Sequence, residues 1–186
     1  LYDVAPLQLS EFLASLRMRG IAGINITIPH KVRAGEYLAG HGSLDANAER
    51  LGAVNTVKVG ADTLCGFNTD GPGFYRSLLE GLRFEPEGKD LFVLGAGGAA
   101  QAIVMYLGNA PRRISVFDID AAKVAAVKAR YVKYFDGKRF HAVSEPKAME
   151  AALGVSELLV NATPVGMHEG DPSPVDKALL HPGLAV

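Results

Sequence analysis

At 186 residues the chain is long enough for one large domain or two small ones. With 19 Lys and Arg against 20 Asp and Glu, its net charge of −1 leaves no global basic field for nucleic acid or an anionic membrane. The single cysteine, Cys65, excludes an intramolecular disulfide and a multi-cysteine metal site, and no apolar run approaches the roughly 20 residues of a membrane span, so a reducing cytoplasm is expected.

Ser10 is expected to cap a helix running to about Arg19, with Phe12, Leu13 and Leu16 on its apolar face and Gly20 as its stop. Residues 23–28 alternate apolar and polar and predict a strand with a polar tip. Pro29 suits the first turn of a helix carrying Lys31 and Tyr37. A short helix follows near Leu44 to Leu51, ending at Gly52. Residues 53–58 and 63–67 read as a hairpin, which places Cys65 in a buried apolar run. A turn at 68–71 precedes a helix from about Gly73 to Gly81. The charged stretch 83–89, with Pro86 and Gly88, is the expected domain boundary, dividing the chain into residues 1–82 and 83–186.

Beyond it the pattern changes. Residues 91–94 form a continuous apolar run, the mark of a strand buried on both faces of a parallel sheet. Helices to about Leu107, over 121–132 and around 147–153 alternate with strands at 114–117, near 139–143 and at 158–160. Such alternation predicts a right-handed doubly wound fold.

Gly95-Ala96-Gly97-Gly98-Ala99-Ala100 follows the first buried strand and opens a helix. This is the G-x-G-x-x-A form of the dinucleotide fingerprint: Gly95 permits the tight turn, Gly97 lets backbone approach a pyrophosphate, and Ala100 lets helix and strand pack closely. The helix N-terminus offers unpaired N–H groups to phosphate. Asp118 ends the next strand about 20 residues on, where a carboxylate accepts from ribose hydroxyls and repels a 2′-phosphate. Asp120 adds negative charge, and Lys123 is the close cation. NAD is therefore the expected cofactor, with NADP as the alternative.

Four further strings carry a resemblance. Gly23-Ile24-Asn25-Ile26-Thr27-Ile28-Pro29-His30-Lys31, Gly52-Ala53-Val54-Asn55-Thr56, Gly66-Phe67-Asn68-Thr69-Asp70-Gly71-Pro72-Gly73-Phe74 and Asn161-Ala162-Thr163-Pro164-Val165-Gly166-Met167 occur in this order around the glycine turn. Together they resemble the signatures of the shikimate/quinate dehydrogenase family. The resemblance implies an N-terminal α/β substrate domain followed by a Rossmann-type nucleotide domain, both incomplete in this chain. It implies hydride transfer between a nicotinamide cofactor and shikimate, or quinate in a catabolic relative, by a monomer or homodimer. Carried over residue by residue, Lys31 and Asp70 are the acid–base pair, and Thr27 and Asn55 bind substrate hydroxyls with them. Thr163, Val165 and Met167 would line the nicotinamide side.

Asn68 is read as bonding backbone within its turn, His30 as packing, and His168, Glu169 and Asp171 as lacking regular metal-ligand spacing. Two family elements are expected outside residues 1–186: a serine-bearing segment before Leu1 and a glutamine-bearing one after Val186. The acidic run at 118–120 departs from the basic run of NADP-using members and resembles the NAD-using branch. A non-catalytic, ligand-binding relative is the rival reading, against which the retained Lys31 and Asp70 argue.

Overall fold

The alternating segments of the first third build a mixed sheet, and the continuous apolar runs of the remainder build a parallel one. The computed structural model describes residues 1–186, Pro146 by its backbone placement alone. The chain divides into two compact units, Leu1–Asp70 and Gly71–Val186.

The first unit contains α1 (Leu9–Ser15), β1 (Gly23–Asn25), α2 (Lys31–His41), β2 (Ser43–Leu44), α3 (Ala46–Leu51), β3 (Thr56–Val59) and β4 (Leu64–Phe67). Its sheet runs β1-β3-β4-β2, with β3 antiparallel to both β1 and β4 and β2 parallel to β4. Leu9, Leu13 and Leu16 project from one helical stripe of α1 and its C-cap into a core with Leu38, Val54 and Val57.

Four local expectations need correction here. Ser10 does not cap α1, because Pro6 starts a 3-10 turn at 6–8 that leads straight into the helix and leaves Ser10 inside it. β1 stops at Asn25: the Ile26 amide makes a last bond to the Asn55 carbonyl at 2.7 Å, and the Thr27 carbonyl then accepts from His30 in a turn. Pro29 lies in that turn, one residue ahead of the His30 N-cap of α2. Cys65, expected in the core, is half-buried, since β4 turns Leu64 and Gly66 inward instead.

The second unit holds most of α4 (Asp70–Ser77), which continues into a wider π-type turn at Leu78–Leu82. β5 (Asp90–Leu94), α5 (Gly98–Leu107), β6 (Arg113–Phe117), α6 (Ala121–Tyr131), β7 (Phe140–Val143), α7 (Pro146–Leu153) and β8 (Leu158–Asn161) then alternate. All four strands are parallel in the order β7-β6-β5-β8, so the winding reverses beside β5. β5 is buried along its whole length. The stretch 83–89 falls inside this unit, because Gly71 of α4 lies directly against Tyr106 and Ala102 of α5. Among the described residues no helix is long and apolar enough to cross a membrane.

Candidate active site and nucleotide cleft

In the first unit, Lys31 opens α2 and Asp70 opens α4. The Lys31 Nζ donates to Asp70 Oδ2 at 2.7 Å, and the two side chains are 30% and 36% exposed, open enough for a small molecule to reach. Asn55, in the link between α3 and β3, is the centre of the cluster. Its Nδ2 donates to Asp70 Oδ1 at 2.8 Å and to Thr69 Oγ1 at 3.1 Å. Its Oδ1 accepts from the Thr69 amide at 3.1 Å and from Thr56 Oγ1 at 3.0 Å. Each Asp70 oxygen is thereby held by a different donor, which fixes the plane of the carboxylate.

A second layer fixes the turn itself. Asn68 is 2% exposed; its Nδ2 donates to the Ala53 carbonyl and its Oδ1 accepts from the Asp70 amide. Asp45 caps α3 through Ala48 and accepts from the Asn68 amide. The structure thus brings Lys31, Asn55 and Asp70 together. Thr27 stands on the exposed 27–30 turn, outside this hydrogen-bonded set. The half-buried His30 keeps its Nδ1 without a hydrogen-bond partner. Sequence reasoning does not single out Thr69 or Thr56, although Thr69 stands directly before the carboxylate it helps to hold.

The second unit carries a cleft of about 360 Å³ at the carboxyl ends of β5, β6 and β8, lined by Gly95, Gly97, Asp118, Lys123, Thr163 and Val165 among others. Gly95 has φ +94°, and a Cβ there would meet the Ala162 carbonyl oxygen at 2.8 Å, so the turn excludes any side chain. At Gly97 and Gly98 a Cβ would meet nothing within 4 Å. Gly97 caps α5 without a side-chain bond, leaving the first amides of the helix open toward the cleft mouth. Open approach, free donors and a positive helix end fit the pyrophosphate of a dinucleotide. Ala96 and Ala100 are fully buried, whereas Ala99 is exposed.

Asp118 does more than face the cleft. Its Oδ2 accepts from the Ala96 amide at 2.8 Å and its Oδ1 from the Asp120 amide at 2.9 Å, tying the glycine turn to the end of β6. Partial burial works to raise this carboxyl, but the Asp120 and Ala96 amides and the Lys123 charge outweigh it and hold it below the ordinary 3.8. Thr163 is occupied locally: its Oγ1 donates to Asn161 Oδ1 at 2.7 Å and accepts from the Val165 amide at 3.2 Å. Met167 is 74% exposed and is not part of the cleft lining. Among the described residues no group of three His, Cys, Asp or Glu side chains is placed to hold a metal ion.

A family model described as the shikimate dehydrogenase substrate binding domain matches residues 1–57. The chain is 37% identical over 187 residues to a shikimate dehydrogenase (NADP(+)) of Geobacter metallireducens, covering all of this chain and 64% of that protein. Among solved structures, a shikimate 5-dehydrogenase of Listeria monocytogenes in complex with shikimate and NAD superposes with a TM-score of 0.87 at 28% identity, over 98% of this chain and 64% of that one. A quinate dehydrogenase of Corynebacterium glutamicum in complex with NAD gives 0.79 at 28% identity, over 92% and 60%. Fold, ordered motifs and these likenesses agree: the chain belongs to the shikimate/quinate dehydrogenase family.

Proposed function

We propose that the full-length protein is an oxidoreductase interconverting shikimate and 3-dehydroshikimate, with residues 1–82 binding substrate and 83–186 binding a nicotinamide dinucleotide. One observation carries this reading: Lys31, Asp70 and Asn55 form a single hydrogen-bonded cluster despite their separation in sequence. When bound, the dinucleotide supplies or accepts the hydride. The protein side chains then manage the proton. Lys31 Nζ hydrogen-bonds the reacting oxygen, giving it a proton as the carbonyl is reduced and taking one as the alcohol is oxidised. Asp70 holds the lysine and an adjacent substrate hydroxyl, with Asn55 fixing its orientation. Lys31 Nζ and Asp70 Oδ2 share one hydrogen bond, so acid and base are roles of the couple. Thr27 and Asn55 serve a neutral polyhydroxylated ring. Gly95 to Ala100 hold the pyrophosphate, and the 163–167 loop lies on the nicotinamide side.

For the cofactor we propose NAD over NADP. The Asp118 carboxylate keeps its charge, and a 2′-phosphate at the ribose it faces would be repelled. Quinate is the second candidate substrate, favoured by the same acidic run and by the likeness to an NAD-bound quinate dehydrogenase. Initial rates with shikimate and quinate, each with NAD and NADP, test both points. The expected result is an NAD preference of at least about tenfold in kcat/KM, roughly 1.4 kcal/mol. Equal or better use of NADP removes the Asp118 argument. Binding of shikimate or quinate without turnover on either favours a non-catalytic relative.

A further inference from the structure

The segment after β8 has no helix or strand until Lys177, yet its first half is closely tied. Asn161 Nδ2 donates to the Val165 carbonyl at 2.9 Å, and Asn161 Oδ1 accepts from the Thr163 amide and hydroxyl. The second half has two backbone bonds, from the Met167 amide to the Pro164 carbonyl and from the Asp171 amide to the His168 carbonyl, and one side chain that adds to them. Asp171 Oδ2 accepts from the Gly166 amide at 2.8 Å and from the His168 amide at 3.0 Å, drawing the loop into a closed turn around a single oxygen. Gly166 and Gly170, both at positive φ, supply the bends this closure needs. Bonds from amides to an ionised carboxylate are about twice as strong as neutral ones. The His168 and Gly166 amides also hold the Asp171 carboxyl below its ordinary value, so it remains the charged acceptor.

What the turn supports is a cleft wall. Thr163, Pro164 and Val165 line the opening together with Gly95 and Asp118, Thr163 lying directly beside Gly95. In a doubly wound sheet the first strand pair binds the adenylate half of a dinucleotide, and strands beyond the reversal bind the other half. Here β5 and β6 form the first pair, and β8 lies beyond the reversal. We propose that Asp171 is a positioning residue for the nicotinamide half of the cofactor, acting through the Gly166 and His168 amides on the Thr163–Val165 wall. The proposal rests on the dehydrogenase reading.

Its test uses the full-length protein, Asp171→Ala and Asp171→Asn, titrated calorimetrically with NAD and with ADP-ribose, and in parallel with NADP and 2′-phospho-ADP-ribose. Asp171→Ala should weaken the dinucleotide by about tenfold or more and leave the ribose fragment within about twofold, since only the former reaches the wall. Asp171→Asn keeps an acceptor oxygen and should recover most of the loss. Equal weakening of dinucleotide and fragment, or no weakening of either, overturns the positioning role while leaving the enzyme reading intact. A wild type with no affinity for NAD or NADP sinks that reading and this proposal together.

Discussion

At the scale of single residues, the proposed chemistry rests on how one carboxylate is held. Asp70 receives Lys31 on one oxygen and Asn55 on the other, so neither donor can be lost without turning it. Lys31→Ala removes the proposed proton carrier but lies in the other unit from the glycine turn. Turnover should fall by about 10²- to 10⁴-fold, with cofactor affinity measured by fluorescence titration unchanged. An unaltered turnover number would take Lys31 out of the mechanism. Lys31, Asn55 and Asp70 are legible because each sits in its own short motif. Thr69 and Asp171 are not, because the partners they hold are an amide side chain and two backbone N–H groups. Backbone acceptors and donors leave no residue-type signature in a sequence.

At the scale of elements, the glycines report close approaches. Gly71 sits in α4 where a Cβ would press on Tyr106 Cβ and come within 2.8 Å of the Ala102 carbonyl oxygen. Gly73, in the same helix, would meet nothing within 4 Å. Replacing glycine by alanine in a helix ordinarily stabilises it by about 1 kcal/mol. At Gly73 that gain should appear in full. At Gly71 overpacking against the α5 backbone costs about 1–3 kcal/mol and should reverse the sign. Chemical denaturation of the two variants decides it, and a stabilised Gly71→Ala would show that α4 does not press on α5 here. The same contact explains why residues 83–89 resemble a boundary while the compact units divide earlier: no local pattern announces that Gly71 meets Tyr106, 35 positions away by residue number. β5, by contrast, is plain in sequence, because a strand buried on both faces must be apolar throughout. Ser10 shows the opposite case, a good cap residue overruled by a proline four positions upstream.

At the scale of the whole molecule, the parallel sheet is fastened by charge at the ends of its strands opposite the cleft. Arg112 grips the Asp90 carboxylate with two bonds of 2.8 and 2.9 Å, just ahead of β6. Glu157, ahead of β8, accepts from Lys89 Nζ at 2.7 Å and from the Asp90 amide at 3.2 Å. The Asp90 side chain is 5% exposed, whereas Arg112 is 66% exposed, so the bond gains from Asp90's shelter while salt still screens the arginine. The Arg112 hydrogen bond, opposed by burial and aided by the charges of Arg112, Arg113 and His141, holds Asp90 below its ordinary 3.8. The Lys89 hydrogen bond likewise lowers Glu157 from 4.5. A carboxyl depressed in the folded state binds fewer protons there than in the unfolded chain, so its stabilisation is complete above the unfolded value and is lost as pH falls through the folded one. Asp90→Asn keeps the side chain's shape and removes the charge. The variant should therefore melt below the wild type at pH 7, and the gap should close as pH drops below 3.8. A melting difference independent of pH would mean that Asp90 stabilises the sheet through the second acceptor oxygen that asparagine lacks, with its charge contributing nothing.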